Sequence, residues 1–268
     1  MSYNNPKDLI FKSSAEVKAF AKWYLSTAVD SSVDYEYSTE LEKEDYLYRR
    51  MSRLEVQVDN LRDLNMQKPF TTAYENQTMY KLVKDGLEPL TTEGSDKKSS
   101  RFNFKEANLF KNKVAYFGQD KDCCYSEIFH NDFMRLSYDD FEKVRADELP
   151  RPKFKLIEFK ISTPNLLVVT SSSTLKGLGI SEGVFKDEWF DLNLSYEIPS
   201  SSQIFASIAK SKGYKGILYC SVRHQTKYNL VLFEENIGKL ESVCKKISET
   251  TFDLDIYERG LGIKKTID

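Results

Sequence analysis

The sequence predicts an α+β protein, a mixed β core with short helices preceded by a helical N-terminal region. Three observations carry that expectation. Apolar residues recur at helical spacing up to about residue 75, and from Arg101 onward short apolar runs are mixed with short helix-like segments. Neither the regular βαβ alternation nor the glycine signatures of a doubly wound nucleotide fold are present. The expected division is an accessory helical region at 1–75 and the main domain at 76–268.

Taken in order, Ser13 and Glu16 form a capping box ahead of "AEVKAFAKWYLSTAV", in which Val17, Phe20, Trp23 and Tyr24 share a face. Thr39 and Glu42 offer a second box. Beyond it Leu47, Met51, Leu54, Val58 and Leu61 step by four, three, four and three, a heptad seam of about two repeats. Such a seam suits a helix packed on its own domain, or one that meets a partner or a second copy in a homo-oligomer. "KPFTTAYENQ" breaks the pattern, "MYKLV" at 79–83 reads as a strand, and "KDGLEPLTTEGSDKKSS" reads as a long polar loop. Strands are then expected at Val114–Phe117, Phe154–Ile161, Leu166–Thr170, Gly216–Val222 and Asn229–Glu234. Helices are expected at Cys123–Phe129, Ser137–Arg145 and Ser201–Ser211, the last stopped by Gly213, with "GLGISEG" at 177–183 a flexible loop. The tail from Lys239 has room for one more strand or helix before a fraying end.

Composition excludes several classes. With 40% apolar and 30% charged residues the chain is an ordinary folded protein, and a net charge of −2 with interspersed signs argues against direct nucleic-acid binding. A local anion pocket stays open. No run of 18 or more apolar residues exists and "MSYNNPKDLIF" has no signal-peptide pattern, so no membrane role and a cytosolic location are expected. Cys123, Cys124, Cys220 and Cys244 lack metal-ligand spacing, with only His130 and His224 to join them, so free thiols and no metal are expected.

Four positions invite a chemical reading. Arg101 in "SRFNF" follows the long loop and opens a strand-like segment. Its planar fork either sits solvated at the surface or reaches into a cleft to hold phosphate or carboxylate oxygens. Tyr116 in "VAYF" shares a strand face with Val114, as a core residue or as a platform on which a flat heterocycle stacks. Glu127 is the anomaly. An acid among Cys123, Cys124, Ile128 and Phe129 must be paired, protonated or functional, with Arg101 a candidate partner. Ser221 ends the strand "GILYC" without a nucleophile elbow, which suits holding a ligand hydroxyl or phosphate better than attacking one.

In this order the residues resemble the RES domain, a family named for its Arg, Glu and Ser that comprises NAD-degrading toxins of bacterial toxin–antitoxin modules. The likeness is carried by Arg101 in "RFN", Tyr116 in "VAYFG", Glu127 in "CCYSEIF" and Ser221 in "GILYCSVRH…NLVLF", and runs from about Met79 to Glu234. The helix in "SSSQIFASIAKSKGYKGILY" matches the family's Gln-bearing helix, which leads through "G-x-x-G-I" into the serine strand. The resemblance implies an ADP-ribosyltransferase-like fold. It also implies cleavage of NAD by hydrolysis or phosphorolysis, and neutralisation by a helix-turn-helix antitoxin. NAD is then a substrate, inorganic phosphate an optional co-substrate, and no cofactor is implied. Residue by residue, Arg101 would hold the NAD phosphates or position the nicotinamide half, Tyr116 would stack on nicotinamide, Glu127 would act at the adjoining ribose, and Ser221 would line the same pocket. In the first strand, where the family commonly carries Tyr-Arg, this chain has Tyr80-Lys81. Lys81 keeps the charge for substrate binding and loses the fork. Two other functions remain open from sequence: ADP-ribose transfer to a macromolecule, and a catalytically silent module that binds a nucleotide or a partner.

Overall fold

The computed structural model describes residues 71–92, 94, 99–104, 111–135, 153–177, 185, 200–222, 226–254 and 256–257 of the 268. In chain order these form β1 (Thr71–Lys84), β2 (Val114–Gly118), α1 (Lys121–Arg135), β3 (Phe154–Val169), α2 (Ser172–Gly177), α3 (Ser201–Ser211), β4 (Gly216–Cys220), β5 (Tyr228–Phe233), α4 (Glu234–Ile237) and β6 (Cys244–Phe252). The expected α+β class is what is found: a mixed sheet of six strands with a few short helices. No described helix is long and apolar enough to cross a membrane.

The strand order is β1-β2-β5-β4-β3-β6, and β1 also pairs with β3. Five strands therefore close into a ring, β1–β2–β5–β4–β3–β1, with β6 attached outside along β3. Every pairing is antiparallel except β3–β4, whose parallel register sets Leu166 opposite Gly216. A parallel pair needs a long crossover, and the segment that carries α2 and α3 supplies it.

Alternation along the strands sorts the apolar residues by face. Met79, Ala115, Phe117, Phe159, Leu218 and Leu230 belong to one buried cluster to which all five ring strands contribute, so this cluster is the ring's interior. A second cluster lies on the outer face of β2, β4 and β5, where Val114, Ile217, Tyr219, Val231 and Phe233 pack beneath α3 through Phe205 and Ile208. A third seats α1 against β1, β3 and β6 through Cys124, Tyr125, Leu82 and Phe252. β4 and β5 are covered on both faces, which is why "GILYC" and "NLVLF" read as continuous apolar runs.

Local signals fix the helix bounds. Ser200 caps α3 in a full capping box with Gln203, and Gly213 ends the turn at φ +82°. Gly216 answers a different need. A Cβ there would collide with the Val231 carbonyl and press on Leu166 and Leu232. Gly216→Ala should therefore cost about 2 kcal/mol through forced displacement of β5, read as a lower denaturant midpoint at constant m.

Several expected bounds shift. β1 starts at Thr71, so residues 71–75, read from sequence as the end of the helical region, are strand. Non-local pairing with β3 (Thr72 with Leu166, Tyr74 with Thr163) overrides the local pattern. Phe154–Ile161 and Leu166–Thr170 are a single strand, bent where Pro164 precedes Asn165 at φ +61°. α1 continues to Arg135 rather than stopping at Phe129. β4 stops at Cys220, β5 begins at Tyr228, and Glu234 starts α4 instead of ending a strand. The tail forms a strand, β6, rather than a helix. The N-terminal capping boxes, the heptad seam, the 137–145 helix and nearly all of the 177–183 loop lie outside the described residues.

Candidate active site

Arg101 sits in a tight turn. Ser100 and Asn103 exchange backbone hydrogen bonds, N–H to O at 2.8 and 3.1 Å, and Arg101 and Phe102 lie between them. Three side chains clamp this turn. Gln203 of α3 donates Nε2–H to the carbonyls of Ser100 (2.7 Å) and Asn103 (3.0 Å). Asn112 donates Nδ2–H to the Phe102 carbonyl at 2.7 Å. The Tyr116 hydroxyl accepts from the Phe102 N–H at 3.1 Å and shares a 2.8 Å bond with the Ser100 hydroxyl. Arg101 itself is 7% exposed, and its guanidinium donates to the Phe185 carbonyl. Burial decides against the solvated surface reading that the sequence left open.

Tyr116 lies on the outer face with Val114, as alternation predicted, while Ala115 and Phe117 point into the ring. Its ring is half-buried and stacks on Phe102 at 6.3 Å between centroids. Tyr219, across the same face, meets Phe102 edge-on at 4.8 Å. Burial pushes the Tyr116 phenol up to about 12 and the Tyr219 phenol well above its ordinary value. Against that burial, the charge of Arg101 lowers both phenols and the charge of Glu127 raises both. The cation and the acid thus act on the same pair of rings.

Glu127 is half-buried on α1, one turn beyond Cys123. Its Oε1 accepts from the Ser221 hydroxyl at 2.9 Å and from the Asn229 Nδ2–H at 2.7 Å. Asn229 Oδ1 in turn accepts from the Cys123 thiol at 2.9 Å. Ser221 is 2% exposed just past β4, and its backbone N–H bonds the Lys227 carbonyl at 2.8 Å. Among the described residues both hydrogen bonds to this carboxylate go to Oε1. Arg101 does not serve as its hydrogen-bonded partner among these contacts; Ser221 and Asn229 do.

The structure thus brings Arg101, Tyr116, Glu127 and Ser221 to one side of the ring. Lys81 is not with them. It shares the inward face of β1 with Met79 and Val83, and its ammonium lies 5.5 Å from the Phe117 ring centroid. Strand alternation gives the reason. If Tyr80 packs outward with Leu82 against α1, Lys81 must point inward. Burial lowers its amine to about 8, partly offset by the nearby Cys244 and Cys124 thiols. Only the unfolded chain holds this proton between about pH 8 and the ordinary 10.5, so folding stability should rise across that window and the buried charge should weigh on the fold below it. Lys81→Met should flatten that rise and stabilise the protein at pH 7 by about 1 kcal/mol, less than the full shift because the side chain keeps some solvent contact. Melting both proteins from pH 7 to 10.5 checks it.

Sequence reading passed over Asn229, Gln203 and Tyr219 as site residues. A signal existed for Asn229, a polar residue inside the otherwise apolar run "NLVLF" that ends up 3% exposed. All four cysteines are free thiols, and no cluster of three or more His, Cys, Asp or Glu among the described residues could hold a metal.

Comparison with known proteins bears on this arrangement. Among solved structures, a chain of the M. tuberculosis MbcT–MbcA toxin–antitoxin complex superposes with a TM-score of 0.55 at 14% identity, covering 76% of this chain and 96% of that one. At that identity the likeness is one of fold. No curated protein matches. A family model, described as the RES domain, matches residues 78–255, from β1 through β6 and including the Arg101 turn, Glu127 and Ser221. With the match extending over well more than half of its residues, the chain belongs to the RES domain family.

Proposed function

We propose that this protein cleaves the nicotinamide–ribose bond of NAD, by hydrolysis or phosphorolysis, and acts as the toxin of a toxin–antitoxin module. The observation that carries the reading is the Glu127 carboxylate, held through Oε1 by Ser221 and Asn229 at 2.9 and 2.7 Å on the side of the fold where Arg101 and Tyr116 lie. Cleavage breaks the bond between the ribose C1′ and the pyridinium nitrogen. The bonding pair goes to nitrogen, so nicotinamide leaves neutral and positive charge develops on the ribose, as in glycoside cleavage. A fixed carboxylate beside that sugar stabilises the forming cation, and the second oxygen of Glu127 can hold a ribose hydroxyl. Water or phosphate then forms the new C1′–O bond and gives its proton to solvent. The scheme needs no strong general acid, which fits a chain with only two histidines.

In this proposal the Arg101 fork binds the pyrophosphate and so orients the bond to be broken. The half-buried face of Tyr116 offers a surface for nicotinamide. Lys81, on the inward face of β1, is given no part in the binding in this proposal. The likeness in fold to a toxin–antitoxin complex supports a protein antitoxin as the partner, and a helix-turn-helix protein is the form expected from the family. The N-terminal region, read from sequence as helical, is assigned to the same proposal as an accessory surface for that partner. The test is to incubate purified protein with NAD, with and without inorganic phosphate, and to follow free nicotinamide. Release is the expected result, with phosphate dependence separating phosphorolysis from hydrolysis. An absence of release would sink the reading, and release accompanied by a labelled macromolecule would replace it with a transferase.

A further inference from the structure

We propose that Asn229 is a positioning residue that fixes the rotamer of Glu127, and that the Cys123 thiol holds the other end of the Asn229 amide. The proposal rests on the reading of Glu127 as the group acting at the ribose, and deepens it. Cys123 and Glu127 are four residues apart, one turn on the same face of α1, so a single amide reaches both. Asn229 Nδ2 donates to Glu127 Oε1 at 2.7 Å while its Oδ1 accepts from Cys123 Sγ at 2.9 Å.

The arrangement works in one orientation only. Turning the amide over would set its carbonyl oxygen against the carboxylate, acceptor on acceptor, and its N–H groups against a thiol hydrogen. The carboxylate, an acceptor only, selects this orientation, and the thiol, whose pKa burial pushes up to about 11, remains a donor at neutral pH and completes it. Asn229 is 3% exposed, so water has little access to replace either bond. Its backbone cannot drift. Asn229 is paired with Gly118 on one side and Tyr219 on the other, in a strand inside the ring. Cys123 is equally anchored, its N–H donating to Asp120 Oδ1 at 2.9 Å at the start of α1. The central sheet therefore holds the acid through an amide whose far end is held by a sulfur. The Ser221 hydroxyl supplies the second bond to the same oxygen.

The test has a kinetic arm and a spectroscopic arm. Asn229→Ala should lower kcat for nicotinamide release about tenfold with KM for NAD held, because Asn229 touches the acid and not the substrate. Cys123→Ala should give a smaller loss, and Cys123→Ser, which restores an O–H donor, should recover most of it. A purely structural role would instead lower the thermal midpoint and leave serine no better than alanine. In the second arm, the side-chain amide resonances of 15N-labelled Asn229 should move in both Cys123→Ala and Glu127→Gln. Wild-type kcat in Asn229→Ala, no rescue by serine, or an amide signal indifferent to Glu127→Gln would each overturn the proposal. If the wild type releases no nicotinamide, the proposed function fails while the amide resonances still decide whether Asn229 locks Glu127.

Discussion

Glu127→Gln should keep the fold and lose nicotinamide release by about hundredfold or more. The substitution is close to isosteric. A glutamine carbonyl can still accept from Ser221 and Asn229 in place of Oε1, so the bonds that seat this side chain on α1 survive. What disappears is the negative charge, and a charge-stabilising group in a partly dehydrated site acts chiefly through that charge. The expected signature is a fall in kcat with an unchanged thermal midpoint and a KM for NAD within a few-fold of the wild type. NAD consumption at the wild-type rate would remove Glu127 from the chemistry altogether.

The second large effect is expected at Arg101. Arg101→Lys keeps the positive charge that the Tyr116 and Tyr219 phenols sense but replaces a planar, five-donor fork with a point donor. The guanidinium donates to the Phe185 carbonyl. A lysine that made this bond would have little geometry left for a pyrophosphate, and one that turned to the phosphates would leave Phe185 unpaired. Either way kcat/KM for NAD should fall about tenfold to hundredfold, mostly through KM, since bidentate binding is lost while the acid stays in place. The turn itself should hold, because Gln203 and Asn112 clamp its backbone independently of the Arg101 side chain. A KM unchanged from wild type would mean that this arginine supports structure only.

The two effects test different halves of one site and should be separable. Glu127 lies on α1, seated by the cluster around Cys124, Tyr125 and Phe252, whereas Arg101 lies in a turn held by α3. The α1 seat packs against β1, β3 and β6, whereas α3 lies over β2, β4 and β5. Glu127 is thus carried by a helix, and Arg101 by a turn that Gln203 of α3 clamps.

Much of this was legible along the chain because the signals are local. The helix expected at Ser201–Ser211 with its stop at Gly213 is found, and the structure adds a capping box of Ser200 with Gln203 at its start. The apolar runs of β4 and β5 mark strands covered on both faces, and the shared face of Tyr116 and Val114 follows from period-two alternation. Those same signals failed where partners lie far away in sequence. Residues 71–75 are strand because β3, some ninety positions later, pairs with them, and one continuous β3 runs through Pro164 for the same reason.

Sequence by itself determined which side chains could do chemistry, their order along the chain, and the α+β class, since residue type, spacing and short-range periodicity are written in the chain. Tertiary structure alone decided which of them meet. Lys81 and Tyr116 are both polar residues on strands, yet closing the ring turned the lysine inward and left the tyrosine beside Arg101. Asn229 meets Glu127 only because the fold brings the start of β5 beside that side chain. Alternation fixes that neighbouring side chains point oppositely, and the long-range pairing that closes the sheet fixes which direction is inside.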